Sequence, residues 1–519
     1  MQYSTSGDAH SSPTRHSSRL RRLGTATALT LAAGAALIGQ ASAEDNSNAL
    51  VEALVRKGVL TDKEAAAIQE DLSKDIAASS ANKIKLSNSI TELRLYGDLR
   101  LRYQYDNKDL QANPAGVGVN NNLEARSPSG NQQSRWRFRL RLNAEFKLGP
   151  DFFGGVELQT AQASDSGMQT FENGFDDYNI FISKAYLGWN ATDWLTVIAG
   201  KVPNPFYTTE LIWDTDINPT GLVESIQFHK LFTSTEEGGL SKDGKSVLPS
   251  KTVEPKWELT LNAGQFIFDD NIEGGGSDNG ATRDNDSTTD AYLFQTQLVG
   301  SYKFGNDLKV TLAPGWLTYI NGSLGGLQNA NAFQDNANVS GATRNLNLIL
   351  LPGDVAFKVR GIKTKLLWDF SYNIEGRKRV EDIYDLVSLR GSTDDGITDP
   401  DDFDKGHSPQ DNVAFLIGLQ FGENKKKGDF SFLANYRQTG LGAVDPNLND
   451  SDFAASELNT RGVKVGAAYN FTDFFVGAIT YQYAWNLRDH LVGGEATGGN
   501  AIADSNVVQI FQVDFNLKF

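Results

Sequence analysis

Residues 135–148 read Arg-Trp-Arg-Phe-Arg-Leu-Arg-Leu-Asn-Ala-Glu-Phe-Lys-Leu, a run in which polar residues alternate strictly with apolar ones. This two-residue period is typical of a β-strand with one polar and one apolar face, because successive side chains point to opposite sides. The run is longer than the roughly five or six residues usual in soluble sheets. It is long enough to cross a bilayer at a tilt, which takes ~9–11 residues. The stretch therefore predicts a transmembrane β-strand.

The same alternation recurs from residue 92 to the C-terminus. It is clear in 92–105 and in the last strand, where Phe511, Val513, Phe515 and Leu517 share one face with the terminal Phe519. Counting all alternating runs predicts about 16 strands, in a range of about 14–18. Weaker alternation places strands near 152–162, 178–189, 194–201, 222–231 and 345–360.

The connections between the predicted strands alternate in length, as in outer-membrane barrels with short turns at one end and long loops at the other. Residues 149–151 and 360–361 are short turns, whereas 106–133 is long. One connection, 232–255, is long where a short turn is expected, so a missed strand pair stays open there. The predicted fold class is all-β, a single transmembrane antiparallel up-and-down barrel over 91–519. A soluble β-sandwich is disfavoured by strands of this length.

The first 43 residues have the three parts of a secretory signal. Four arginines between Arg15 and Arg22 precede the apolar run 26–38, and Ala41-Ser42-Ala43 matches the small-x-small cleavage pattern. The apolar run is too short for a spanning helix of ~20 residues. We therefore expect 1–43 to be a signal peptide that is removed before Glu44 when the protein is exported.

Residues 44–90 change to a helical period, so we expect the barrel to be preceded by a short periplasmic helical or coiled-coil segment. Leu50, Val51, Leu54 and Val55 form one apolar stripe, and Thr61 begins a second helix with the spacing of a capping box. Oligomerisation or simple spacing is the favoured role. Anchoring to the cell wall or to partner subunits is the alternative.

Composition excludes several functions. The net charge is −16, and without residues 1–43 the chain keeps 44 basic and 63 acidic residues, a net charge of −19, which argues against nucleic-acid binding. The absence of cysteine excludes disulfides, thiol nucleophiles and Cys-ligated metals. His229, His407 and His490 stand in no catalytic motif, and the acidic run 399–404 lacks the spacing of a calcium-binding loop. We predict no enzyme activity, no cofactor and no metal site.

Alternation also predicts which charges line the lumen, and more of them are basic than acidic. Because consecutive strands pair, the arginines of the first two strands predict one basic wall that favours anions. Plain solvation of a polar lumen is the alternative. An inward fold of 165–177 or 210–216 would set acids opposite this wall, so Glu210, Asp214 and Asp216 are candidates for a constriction loop. The candidate pore-lining arginines are Arg94, Arg100, Arg102, Arg135, Arg137, Arg139 and Arg141.

Three features carry a family resemblance. They are the preface Leu-Val-Glu-Ala-Leu-Val-Arg-Lys-Gly-Val-Leu-Thr at 50–61, the segment 199–221 with its Gly-Lys-Val-Pro-Asn-Pro-Phe start, and the terminal Phe519. On these the chain resembles Gram-negative porins of the "putative porin" group, which is similar to the phosphate-selective porins. About fifty residues carry recognisable motif, although the architecture fits the whole mature chain.

The resemblance implies an outer-membrane protein with a water-filled channel for passive diffusion of small hydrophilic solutes or ions, often assembled as a homotrimer and surrounded by outer-membrane lipid. It does not supply a substrate. The alternative function is a non-conducting surface barrel, an adhesin or structural protein that acts through its acidic loops.

Overall fold

The structure is a computed structural model, and most of the predicted barrel is described in it. The predicted signal peptide 1–43, nearly all of the helical segment 44–90 and the acidic run 399–404 lie outside the described residues. Two compact units, 1–90 and 91–519, divide the chain. The described residues are 56–57, 61, 87–110, 131–161, 167–171, 177–232, 234–236, 251–253, 255–269, 291–305, 307–320, 345–381, 408–450, 452–488 and 505–519.

Strands dominate the described residues. The strands are β1 Ile90–Leu110, β2 Asn131–Leu148, β3 Phe152–Thr160, β4 Gln169–Thr170, β5 Ile180–Thr192, β6 Leu195–Lys201, β7 Thr220–Gln227, β8 Ser234–Glu236, β9 Lys251–Val253, β10 Trp257–Asp269, β11 Ala291–Phe304, β12 Leu308–Leu312, β13 Gly315–Ile320, β14 Asn347–Leu350, β15 Gly353–Val359, β16 Ile362–Asn373, β17 Val413–Gly422, β18 Phe430–Thr439, β19 Thr460–Asn470, β20 Phe475–Asn486 and β21 Ser505–Lys518.

Helices are short in the described part of the chain. Residues 376–381 are α-helical, and 3₁₀ turns cover Phe228–Phe232, Pro409–Asn412 and Ala454–Ser456. None of these helices is long and apolar enough to cross a membrane.

All strands except β8 and β9 belong to one antiparallel sheet that closes on itself. The closing pair is β1 with β21, in register from Asp98 opposite Lys518 to Asp109 opposite Val507. The terminal Phe519 extends it, because Gly97 N–H donates to the Phe519 carbonyl (2.8 Å) and receives a bond in return (3.0 Å). Counting β3 with β4, β12 with β13 and β14 with β15 as single interrupted strands, the barrel has 16 strands, which confirms the predicted fold class.

Two of the interruptions lie at prolines. Pro314 separates β12 from β13, and Pro352 separates β14 from β15. Proline has no N–H to give to the ladder, so the strand assignment breaks there. Pairing continues through the carbonyl groups, because Pro352 still accepts a bond from Ala313 N–H (2.9 Å). The predicted single strand 345–360 is therefore one barrel strand in two pieces.

The strands on either side of the long connection at 232–255 are direct neighbours in the barrel. β7 pairs directly with β10, from Gln227 opposite Thr260 to Gly221 opposite Phe266. Between them β8 and β9 pair with each other in a separate two-stranded sheet. A strand pair does exist in this connection, but it lies outside the barrel wall.

Exposure follows the alternation of the strands. On β2 the Trp136 side chain is 57% exposed, whereas its neighbour Arg137 is 8% exposed and Arg139 is 2% exposed. The apolar face points outward, where a membrane protein meets lipid, and the charged face points into the barrel.

Candidate pore-lining site

The seven candidate arginines lie on β1 and β2, which pair, and we call them the arginine wall. Arg102 is buried on the inner side of β1. Its guanidinium binds Asp514 of β21 (Nε–Oδ1 2.8 Å) and Asp452 of the β18–β19 connection (Nη1–Oδ2 2.9 Å). A cation that the sequence predicts to face water is therefore held between two carboxylates.

Arg139 is paired in the same way. It binds Asp216 of the β6–β7 connection (2.9 Å) and lies 3.4 Å from Asp98 of β1. Asp98 also accepts a bond from Arg141 (2.7 Å). The candidate loop acid Asp216 thus contacts the arginine wall directly, and it does not face the wall across the lumen as the sequence predicts.

The other wall arginines differ in exposure. Arg135 binds Asp106 (2.9 Å), and Arg137 donates to the side-chain oxygen of Gln104 (3.3 Å). Among the described residues no carboxylate lies within 4.0 Å of the Arg100 guanidinium. Arg94, near the short-turn end, is 67% exposed and lies 3.9 Å from Glu145. Most of the wall's charge is therefore balanced locally; Arg94 is the most exposed member of the wall, and Arg100 has no carboxylate at this distance among the described residues.

Residues 202–219, which we call the first inward segment, leave the wall after β6 and follow its inner surface. Pro205 O accepts a bond from Asn262 of β10 (3.2 Å), and Tyr207 N–H donates to Gln297 of β11 (2.7 Å). Thr209 donates to Asp369 of β16 through its N–H (3.1 Å) and its hydroxyl (2.9 Å).

The second half of this segment contacts the remaining side of the barrel wall. Glu210 binds Lys464 of β19 (2.5 Å), Asp216 binds Arg139 of β2 (2.9 Å), and Asn218 donates to Ser183 of β5 (2.9 Å). These contacts follow the order of the strands around the barrel from β10 to β5. The segment therefore runs round the lumen and narrows it.

A buried apolar cluster holds the first inward segment in place. Leu211, Ile212 and Trp213 are each no more than 3% exposed and pack with apolar residues of the wall. The Trp213 indole N–H donates to Gln295 of β11 (2.8 Å), and its ring meets Phe266 edge to face at 6.4 Å. Because the indole is both packed and hydrogen-bonded, the backbone around it has one position.

Residues 440–450 and 452–459, the second inward segment, also enter the barrel. Gly442 O accepts a bond from Asn373 (2.6 Å), and Ala443 O accepts one from Ser371 (3.1 Å). The two inward segments then join through Asp214 N–H to Leu448 O (2.6 Å) and Asp450 N–H to Glu210 O (3.1 Å). Asp214 therefore lies buried at the contact between the two inward segments.

A sequence signal for this interior packing exists in the wall strands. Residues 346–351 read Leu-Asn-Leu-Ile-Leu-Leu, which is apolar on both faces. Leu348 points inward and is buried, while Ile349 points outward and is 47% exposed. A strand with an apolar inner face predicts that protein, and not water, covers that face. Leu293, Leu317 and Leu416 are buried in the same cluster.

Opposite charges meet where the two inward segments join. Burial raises the pKa of Asp450, and the neighbouring Glu210 carboxylate adds to this rise while Lys464 opposes it. Burial also acts on Glu210, but Lys464 and Arg437 outweigh it and lower the pKa of that carboxyl. Asp450 is therefore the carboxyl of this pair that takes up a proton first on acidification. No group of three or more His, Asp or Glu within the described residues is placed to hold a metal ion.

Comparison with solved structures returns bacterial porins. Salmonella typhi OmpF in complex with daunomycin aligns with 11% identity and a TM-score of 0.39, over 84% of this chain and 100% of that one. Pseudomonas putida OprB, in its high-pH structure, aligns with 10% identity and a TM-score of 0.40, over 82% and 94%. A mutant of the Rh. blastica porin aligns with 9% identity and a TM-score of 0.36, over 82% and 100%.

No curated protein matches the chain. A family model described as "Putative porin" matches residues 68–373, which is more than half of the chain and includes the first inward segment and the arginine wall. Together with the closed 16-strand barrel, this match places the chain in the "Putative porin" family of outer-membrane channels.

Proposed function

We propose that the protein is a passive diffusion channel for small hydrophilic solutes, exported with residues 1–43 as its signal peptide. The observation that carries the proposal is the first inward segment, which circles the barrel interior from β10 to β5 and so forms a constriction. Solutes move down their gradient, and the barrel residues sort them by size and charge. Glu210 and Asp216 hold the constriction against the wall.

The direct test is reconstitution into planar bilayers. We expect stepwise conductance increments, and their absence would leave the non-conducting surface barrel as the better reading. The chain has no cysteine, so single cysteines report on the lumen. A negatively charged thiol reagent should lower the conductance of Arg94→Cys, whose site is exposed inside the barrel. The matched control is Leu101→Cys, which lies on the outward face of the same strand and is 43% exposed.

We further propose a weak anion preference that originates in the arginine wall. Replacing Arg137, Arg139 and Arg141 together by glutamine leaves Asp98 and Asp216 without these partners, so the reversal potential should shift toward cations. The same three positions replaced by lysine keep the charge and serve as the control. An unchanged potential in the glutamine variant would refute the preference.

We propose a homotrimer whose contact face includes β6, β7 and β10. Val223 and Ser225 face the lumen, so alternation assigns Glu224 between them to the outer face, where it is half-buried and its Oε2 has no hydrogen-bond partner among the described residues. A lipid-facing charge near the middle of a bilayer costs about 2–4 kcal/mol for basic residues and less for acidic ones. Exposed Ala199 and Gln265 lie on the same outer face, where large apolar side chains are expected. A second copy that covers this face would remove Glu224 from lipid.

Native mass spectrometry in detergent tests this contact face. The wild type should be a trimer and Glu224→Lys a monomer, because the added cation replaces the acid at the contact. Val465→Lys, which places a charge on the outward face of β19, should stay a trimer. If Glu224→Lys and Val465→Lys show the same oligomeric state, this face is excluded as the subunit contact.

A further inference from the structure

A cavity of about 500 Å³ opens inside the barrel near its short turns. It lies among β11, β12, β15, β16 and β17 and is bounded by the turn residues Asp307 and Glu423. Its lysines alternate with outward-facing side chains such as Tyr302 and Phe304, which are 41% and 53% exposed. We call it the lysine vestibule. Six lysines line it: Lys303, Lys309, Lys358, Lys363, Lys365 and Lys425.

Two carboxylates that pair with the vestibule lysines are each shared by two of them. Glu258 accepts bonds from Lys303 (2.8 Å) and Lys309 (2.9 Å). Such an arrangement of two ammonium groups around one carboxylate carries a net charge of about +1.

The second shared carboxylate is Glu423, which lies within 2.9 Å of Lys363 and 3.1 Å of Lys425. These hydrogen bonds lower the pKa of Glu423, so it stays ionised at neutral pH. Lys363 and Lys425 are 56% and 68% exposed. Each ammonium carries three donors, so donors remain for a solute.

The other two lysines are paired singly. Lys358 binds Asp307 (2.7 Å), and Lys365 lies 3.3 Å from Asp354. The six lysines pair with these four carboxylates, so ammonium groups outnumber their carboxylate partners here. Because the excess is divided between the Glu258 and Glu423 clusters, a solute with two anionic groups can meet both clusters at once, whereas a monovalent anion meets one.

We infer that the lysine vestibule is a binding site for small solutes that carry two or more anionic groups. It lies at the short-turn mouth, away from the arginine wall, and adjoins the constriction at Asp354, to which both Lys365 and Tyr207 of the first inward segment bind. The inference rests on the proposed channel, since the site is reached through the lumen. Carboxylate and phosphate share the chemistry that the lysines recognise. Citrate and pyrophosphate are therefore the two probes.

The experiment is current block in planar bilayers of wild-type protein in KCl. Citrate or pyrophosphate is added to one compartment at a time, and the concentration for half block is measured. We expect block by at least one of the probes, stronger from the short-turn side, and weakened by more KCl. Block by one probe alone supports the site and identifies the anionic group that it accepts.

Two sets of variants test the assignment, one that lowers the excess positive charge and one that raises it. Replacing Lys303, Lys309, Lys363 and Lys425 by glutamine should raise the half-block concentration about tenfold, as exposed charge contacts add modestly. Replacing Glu258 and Glu423 by glutamine should lower it, because the excess charge grows. Lys147→Gln is the control, since Lys147 is 60% exposed at the same mouth and pairs singly with Glu92. Its block should equal that of the wild type.

The failures are distinguishable. A reconstituted protein without conductance would overturn the channel itself. A conducting protein that neither probe blocks from either side would overturn only the vestibule. Equal half-block concentrations in the lysine variant, the glutamate variant and the wild type would also overturn only the vestibule, provided that their unblocked conductances agree.

Discussion

Truncating Trp213 should release the first inward segment without opening the barrel wall. The indole is buried in the cluster that joins 202–219 to the wall, and it donates to Gln295. The wall itself depends on backbone pairing, such as that of β11 with β10 and β13, in which Trp213 takes no part. Trp213→Ala is therefore a change in the constriction alone.

The magnitude follows from burial. Replacing a buried tryptophan by alanine costs about 3–5 kcal/mol, which includes the cavity that it leaves. The lost hydrogen bond contributes to this cost, because Gln295 is fully buried and its acceptor is left unsatisfied. Since about 1.4 kcal/mol is a factor of ten, the equilibrium between docked and released segment should shift by roughly two to three orders of magnitude.

The assay is single-channel recording together with heat-dependent mobility on denaturing gels. Trp213→Ala should give a higher mean conductance and more open-channel noise than the wild type, because the released segment no longer holds a fixed position in the lumen. The temperature at which the barrel unfolds on the gel should change little. Trp213→Phe is the control, since it loses the hydrogen bond but keeps most of the packed ring, and its noise should lie between the two.

Wild-type conductance and noise in Trp213→Ala, with the gel showing an intact barrel, would refute the reasoning. It would mean that the first inward segment is held by its polar contacts alone. A lowered unfolding temperature with unchanged noise would instead mean that the apolar cluster stabilises the barrel wall and does not fix the position of the segment.

Two further predictions concern pH and strand closure. A carboxyl whose pKa is raised in the joined state stabilises that state as the pH falls toward its ordinary 3.8, so acidification to about pH 5 should reduce open-channel noise through Asp450. Asp450→Asn should weaken this dependence, and the remainder comes from Asp445, whose pKa burial also raises. Below the ordinary 4.5 the lowered pKa of Glu210 reverses the sign, and noise should rise. Gly97→Ala places a Cβ 2.4 Å from the Arg141 carbonyl, so the barrel should lose about 1–3 kcal/mol and unfold at lower temperature on gels. Gly300→Ala, with its nearest contact at 3.5 Å, should not; equal melting of both variants would contradict this.

The barrel wall was predictable because its sequence pattern has a local cause. Backbone pleating alternates side chains between lipid and lumen, so Trp136 and Arg137 can be assigned to opposite faces from their neighbours alone. The turn at Arg360–Gly361 is predictable for a similar reason, since both residues adopt positive φ, as a two-residue hairpin turn requires.

The interior was not predictable in this way, because its contacts join distant parts of the chain. Asp216 reaches Arg139 across 77 positions, and Asp452 reaches Arg102 across 350. Alternation predicts that an arginine faces inward, but it does not predict which connecting segment folds back into the barrel to pair with it. The β18–β19 connection therefore escaped notice, although the apolar inner faces of the wall strands indicated a covering segment.

The arginine wall and the inward segments depend on each other. Holding these segments in place is a third role for the wall arginines, beside ion selectivity and solvation of the lumen. Arg102 and Arg139 are 4% and 2% exposed, and a buried charge is tolerated only when it is paired. Removing one partner of a buried pair costs about 3–5 kcal/mol, because the other charge stays behind. Asp216 and Asp452 supply the pairing, one from each inward segment. These two arginines therefore position the constriction, and the exposed Arg94 and vestibule lysines are the charges that can act on passing solutes.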